Sequence, residues 1–285
     1  MSDIITYLFE TKAVKICGEN KPFFLTSGYI SPYFVNTHFL YGNEKEATEF
    51  LAYIDTLLAD RINLPKKVFD KVIAQYESNA IYKYTIDTMV KAITDNVNVE
   101  EIDYISGGER RDWYFSNLIS YILKKPHLTL FKDMEAFVSP YDFSSTEKIT
   151  DLTGKKVLNA SDLVTAASNY VRSWIPAIRN LKGELAWTCY VVDRRQGGTE
   201  VLENEGIKAI PLTNVDKALF EKALESNVIN EAQFEMLNGF LSEPHETMKK
   251  FLINHPEFLE NALNSDEKTK KRAQILIDGN LYGLN

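Results

Sequence analysis

Apolar residues recur along this chain at two periods. Between residues 44 and 62 they return every three to four positions, and Ala47, Phe50, Leu51, Ile54, Leu57 and Leu58 form one stripe of an amphipathic helix. The same spacing predicts helices over 4–12, 80–95 and 113–123. Short, continuous apolar runs over 68–74, 102–105, 128–131, 154–162, 185–192 and 207–212 predict buried strands. Strands alternating with helices predict an α/β fold with a doubly wound, mainly parallel sheet. Residues 133–153 have no clear period and read as a long loop, a class that often forms lids or binding loops. From residue 216 the pattern becomes helical over 216–225, 230–241, 243–253, 256–263 and 266–277. Asn230, Ser242 and Ser265 serve as caps. The expected organisation is an α/β domain over 1–215 and an α-helical C-terminal extension over 216–285.

Composition narrows the chemistry. The 285 residues are 45% hydrophobic and 25% charged, as in ordinary globular proteins. A net charge of −8 argues against general affinity for nucleic acid or an anionic membrane, so an anionic ligand needs a local site. No apolar run is long enough to span a bilayer, and the first residues lack the order of a secretory signal. Cys17 and Cys189 lie far apart, and His38, His127, His245 and His255 make no ligand pair at helical spacing. A zinc site is therefore not expected, and reduced thiols fit a cytoplasmic location.

Four segments carry candidate chemistry. Residues 154–162 form a strand ending in Asp162, followed by Leu163-Val164-Thr165-Ala166-Ala167-Ser168 and a helix to about 172. A helix N-terminus offers unpaired amides and partial positive charge to a phosphate. Thr165 and Ser168 add hydroxyls, and the alanines allow close approach. An ordinary strand–turn–helix junction reads the same way. Ser106-Gly107-Gly108-Glu109-Arg110-Arg111 joins a strand end to two guanidinium groups that suit a diphosphate, or else forms a solvated turn. Val191-Val192-Asp193-Arg194-Arg195 could offer Arg194 to a ligand carboxylate, or close a turn through Asp193 and Arg195. Phe24 to Asn36, with Ser27-Gly28 and Ser31-Pro32-Tyr33-Phe34, places aromatics around rigid turns, suited to stacking on a planar ring or to core packing.

In this order, from about Phe23 to Leu212, the four segments resemble a type I phosphoribosyltransferase, most of all orotate phosphoribosyltransferase. That resemblance implies phosphoribosyl pyrophosphate and orotate as substrates, Mg2+ as cofactor and a homodimer. By the same resemblance Asp162, Lys132 and Arg111 are catalytic. Ser27, Tyr33, Phe34, Thr165, Ala166, Ser168 and Arg194 bind substrate, and Gly107, Gly108 and Arg110 bind the diphosphate. Asp162 contacts the metal indirectly, through a magnesium-bound ligand. The chain also departs from the pattern. Thr26 replaces a lysine, and Ser161 replaces the first of two consecutive acids. Ala167 replaces a loop glycine, which costs roughly 1–2 kcal/mol if φ there is positive. Asp133-Met134-Glu135 stands where the family's mobile loop is basic. Two further readings are a phosphosugar-binding or regulatory module without turnover, and transfer to another base.

Overall fold

The computed structural model describes residues 3–284. Its α/β elements begin with helix α1 (Ile4–Glu10), then the short strands β1 (Val14–Ile16), β2 (Phe23–Phe24), β3 (Ile30–Ser31) and β4 (Tyr33–Val35). Helices α2 (Glu44–Leu57), α3 (Leu64–Ser78) and α4 (Ala80–Asn96) precede β5 (Tyr104–Gly108), α5 (Trp113–Leu123) and β6 (His127–Leu130). There follow β7 (Ala136–Ser139), β8 (Glu147–Lys148), β9 (Lys156–Val164), α6 (Ile175–Asn180), β10 (Glu184–Asp193), α7 (Gly198–Asn204) and β11 (Lys208–Asn214). The tail holds α8 (Lys217–Glu225), α9 (Glu231–Ser242), α10 (Pro244–Asn254), α11 (Glu257–Leu263) and α12 (Glu267–Asp278).

Seven strands form one sheet in the order β11-β10-β9-β5-β6-β7-β8. The first five run parallel, and β7 and β8 add antiparallel strands at one edge. β9 and β10 are buried along nearly their whole length, as parallel strands covered on both faces must be.

Two compact units result. One takes the segment ending at Thr11 together with Thr37–Val215, and the other joins Lys12–Asn36 to the chain from Asp216. Residues 12–36 thus leave the α/β domain that the sequence pattern assigned them to. Their aromatic side chains find partners in the tail: Phe24 stacks on Phe258, Tyr33 packs against Phe220 and Phe240, and Ile30 N–H donates to Tyr282 Oη at 3.0 Å.

Two expectations for the first unit are corrected. Residues 68–74 are not a strand but the middle of α3. Leu64, Val68, Phe69 and Val72 return at helical spacing, with Pro65 pre-set in the first turn. The 133–153 segment is not a loop throughout, because β7 and β8 lie within it. Strands of four and two residues are too short to display a period.

Candidate functional site

The sheet fixes where the chain must turn. β9 runs to Val164, two residues beyond Asp162, and pairs there with Asp193 of β10. Ala167 then takes φ +51°, and a π-helical turn over Tyr170–Trp174 leads into α6. Val171 N–H donates to the Ala167 carbonyl at 3.1 Å, so the amides just before that turn have no intrahelical partner. The helix expected directly after the strand is therefore preceded by a tight, left-handed step. Holding alanine in that step costs roughly 1–2 kcal/mol. Gly198, at the start of α7, backs the loop: a Cβ there would lie 2.5 Å from the Thr165 carbonyl and 3.0 Å from Ala167 N.

This loop walls a cavity of about 440 Å3. Asp162, Thr165, Ala166 and Ser168 line it from β9, and Arg110, Arg111 and Lys132 line it from beyond β5 and β6. Seven residues singled out from the sequence thus meet at one place. Arg111 is exposed, its carbonyl accepts from Tyr114 N–H at 3.2 Å, and its guanidinium makes no ion pair within 4 Å among the described residues. Lys132 lies 3.7 Å from Glu109 Oε1, and Arg110 is ion-paired to Asp55 on α2.

Two buried acids form the floor. Asp112 and Asp162 are each 7% exposed. Asp112 Oδ1 accepts from Ser161 Oγ at 2.8 Å and from Asp162 N–H at 3.3 Å, while its Oδ2 accepts from Gly108 N–H at 3.0 Å. Asp162 Oδ1 accepts from Leu163 N–H at 2.7 Å, and the buried carboxyl also faces the Thr37 hydroxyl. Burial, reinforced by the Asp162 charge, pushes the Asp112 carboxyl up to about 7. Burial also raises Asp162, and the Arg111 guanidinium opposes that rise.

The other predicted residues lie elsewhere. Gly107 and Gly108 do not line the cavity. The Gly108 amide is taken by Asp112, and the Gly107 carbonyl accepts from Trp113 Nε1 at 2.9 Å. Their smallness serves packing, since a Cβ on Gly107 would meet Ser116 Oγ at 2.1 Å and one on Gly108 the Trp174 ring at 2.2 Å. Arg194 directly follows β10, half-buried, its amide donating to the Val164 carbonyl at 2.9 Å. Asp193 forms no side-chain bridge to Arg195. It accepts from the Arg195 amide at 2.6 Å and from Thr199 Oγ1 at 2.6 Å, capping the turn into α7.

Ser27, Tyr33 and Phe34 belong to the second unit. Ser27 is exposed in the turn between β2 and β3, and Tyr33 is buried in the aromatic cluster. Phe34 pairs with Phe23, their rings 4.7 Å apart, on the wall of a separate cavity of about 830 Å3.

Sequence reasoning missed three residues. Asp112 directly follows the two arginines, and an acid immediately before an aromatic helix is a recognisable signal. Trp174, which covers Gly108, sits in a segment with no helical period. Arg61 is distant in sequence from everything it meets. It pairs with Asp133 at 2.6 Å and with Glu135, which Lys148 also contacts, and its guanidinium lies 4.4 Å from the centre of the Phe131 ring. The acidic segment is thereby neutralised locally.

No family model matches the chain. UMP synthase of Leishmania donovani superposes with a TM-score of 0.56 at 18% identity, over 84% of this chain and 42% of that one. Orotate phosphoribosyltransferase of Aeropyrum pernix superposes with a TM-score of 0.50 at 16% identity, over 77% of this chain and 98% of that one. The fold is that of orotate phosphoribosyltransferase. In sequence, an orotate phosphoribosyltransferase of Sulfolobus acidocaldarius is 26% identical over 98 residues, 34% of this chain and 49% of that protein. The match thus spans about half the length of that curated relative. In this chain the cavity lies past the carboxyl ends of the parallel strands β5 and β9, where open α/β sheets bind ligands.

Proposed function

We propose that the chain is a phosphoribosyltransferase that moves a 5-phosphoribosyl group from phosphoribosyl pyrophosphate to orotate, releasing pyrophosphate. The observation that carries this reading is the 165–168 loop at the end of β9. Its amides and hydroxyls border a cavity that Asp162 and the exposed Arg111 also line. The loop would take the terminal phosphate, the Asp162 carboxylate a ribose hydroxyl, and Arg111 with Lys132 the diphosphate. Attack by a ring nitrogen at the anomeric carbon builds positive charge on the sugar and negative charge on the leaving group. Fixed geometry and the Arg111 charge would therefore supply most of the rate.

Magnesium fits this donor set in part. Among the described residues no cluster of three or more acids, histidines or cysteines forms a cage. Magnesium is commonly held by one or two carboxylates together with substrate phosphates. Asp162 is the residue that would approach it, through a shared ligand, and the ion would neutralise diphosphate charge. A two-subunit assembly completes the proposal, as the resemblance implies.

Binding without turnover is the second reading. It is favoured by the pairing of Arg110 with Asp55 and of Lys132 with Glu109, which leaves fewer cations for a leaving group. One assay separates the two: orotate absorbance is followed with phosphoribosyl pyrophosphate and magnesium, alongside calorimetric titration of the sugar phosphate. Turnover supports transfer, binding with no turnover favours the second reading, and neither one removes both. Turnover with adenine but not orotate would keep the transfer and change the base.

A further inference from the structure

We propose that the indole N–H of Trp174 is a further donor to the ligand of this cavity, meeting an oxygen of a diphosphate. This deepens the phosphoribosyl reading and rests on it. Trp174 is 2% exposed and lines the cavity together with Glu109, Arg110 and Arg111. Its nitrogen donates to no atom among the described residues, whereas the Trp113 indole donates to the Gly107 carbonyl at 2.9 Å. Nor is that nitrogen one of the side-chain atoms sealed away without a partner. The little surface that Trp174 keeps therefore includes Nε1, and the cavity is where that surface opens. A donor left unbonded on a buried residue is rare, and one bordering a cavity is placed for an acceptor that arrives with a ligand.

The backbone accounts for the placement. Trp174 closes the π-helical turn, in which the Ile175 amide reaches back to the Tyr170 carbonyl. Tyr170 is itself pinned to the sheet, its hydroxyl bonded to Asn159 Nδ2 at 2.9 Å and to Thr188 Oγ1 at 2.8 Å. The indole is thereby held against Gly108, where a Cβ would lie 2.7 Å from Nε1. That puts the nitrogen at the end of β5, on the side of the cavity that carries the two arginines. Ser173 Oγ, one residue earlier, lies 3.5 Å from the Lys132 carbonyl, so the turn bearing Lys132 is adjacent, and Glu109 faces that lysine. The acceptor that suits an N–H among these cations is an anionic oxygen, to which a hydrogen bond is roughly twice as strong as to a neutral one. In the phosphoribosyl reading that oxygen belongs to the diphosphate.

Calorimetry on the full chain, with pyrophosphate and with ribose 5-phosphate, tests this. Trp174→Phe keeps an aromatic ring over Gly108 and removes the N–H. It should weaken pyrophosphate roughly 10-fold, the order of one hydrogen bond to a charged group, and leave ribose 5-phosphate nearly unchanged. Thermal melts confirm that the variant is folded. A second measurement needs no change at Trp174. The chain has three tryptophans, and in an NMR spectrum of isotope-labelled tryptophan one indole N–H signal should move downfield with pyrophosphate. That signal should persist in Trp187→Phe, which alters a residue outside the cavity, and its loss there counts against Trp174. Unchanged pyrophosphate affinity in folded Trp174→Phe, equal losses for both probes, or no moving indole signal at saturating pyrophosphate overturns the inference while the phosphoribosyl reading stands. Failure of the wild type to bind either probe overturns both.

Discussion

Two neighbouring strand ends of one sheet, β9 and β5, use small residues for opposite purposes. Past β9, Thr165, Ala166 and Ser168 line the cavity, and the step at Ala167 leaves amides without intrahelical partners. At β5, Gly107 and Gly108 are small because Ser116 and Trp174 press against them, and the Gly108 amide is already bound. A glycine pair at a strand end therefore does not by itself mark a binding loop. Close packing and close approach to a ligand require the same residue type, and only the neighbours distinguish them.

The contrast can be broken most sharply at Gly108. Gly108→Ala places a Cβ 2.2 Å from the Trp174 ring, and overpacking of this kind should lower stability by about 3 kcal/mol, read as a shifted urea midpoint. An unchanged midpoint would mean that Trp174 yields easily, and the packing account of β5 would be wrong.

A second probe of the β5 side is pH. Burial holds His127, bonded to Ser116 Oγ and Thr129 Oγ1, down to about 3 in the folded chain, against 6.5 ordinarily. Between those values the unfolded chain binds more protons, so this group withdraws stability as pH falls below about 6.5. His38 is likewise lowered to about 3 by burial and by Arg111. Asp112 acts with the opposite sign. Its folded carboxyl keeps a proton up to about 7, so stability declines as pH rises from about 4 to 7. Between pH 7 and 5, His127→Gln should lose about 2 kcal/mol less stability than the wild type. Parallel slopes for the two proteins would contradict this.

On the β9 side the effects should be smaller and inverted. Ala167→Gly relieves a φ of +51°, and the gain is offset by glycine's freedom in the unfolded chain. A net stabilisation of about 0.5–1 kcal/mol should appear as a higher melting temperature. A lower one would show that the step is not strained. The smallest change is expected from Arg61→Ala, which exposes Asp133 and Glu135. Partly exposed pairs of this kind contribute about 0.2–1 kcal/mol, and added salt should erase the difference from wild type.

Much of this was legible in the residues alone. The alternation of strands and helices, the helix over 113–123 and the five tail helices follow from apolar spacing, because burial on one face imposes that period wherever an element is long enough. The turn after Asp162 and the cluster of Thr165, Ser168, Arg110, Arg111 and Lys132 were also visible, since small residues and basic groups at strand ends are local signals. Other features only the tertiary structure decided. Residues 12–36 join the tail because their aromatics meet Phe220, Phe240 and Phe258, partners about two hundred residues away. Arg61 quiets Glu135, and Asp112 ties Ser161 of β9 to Gly108 of β5, because charges and hydrogen bonds pair by distance in space. Sequence spacing records which face a side chain takes on its own element, and it holds no record of what the opposite element brings to meet it.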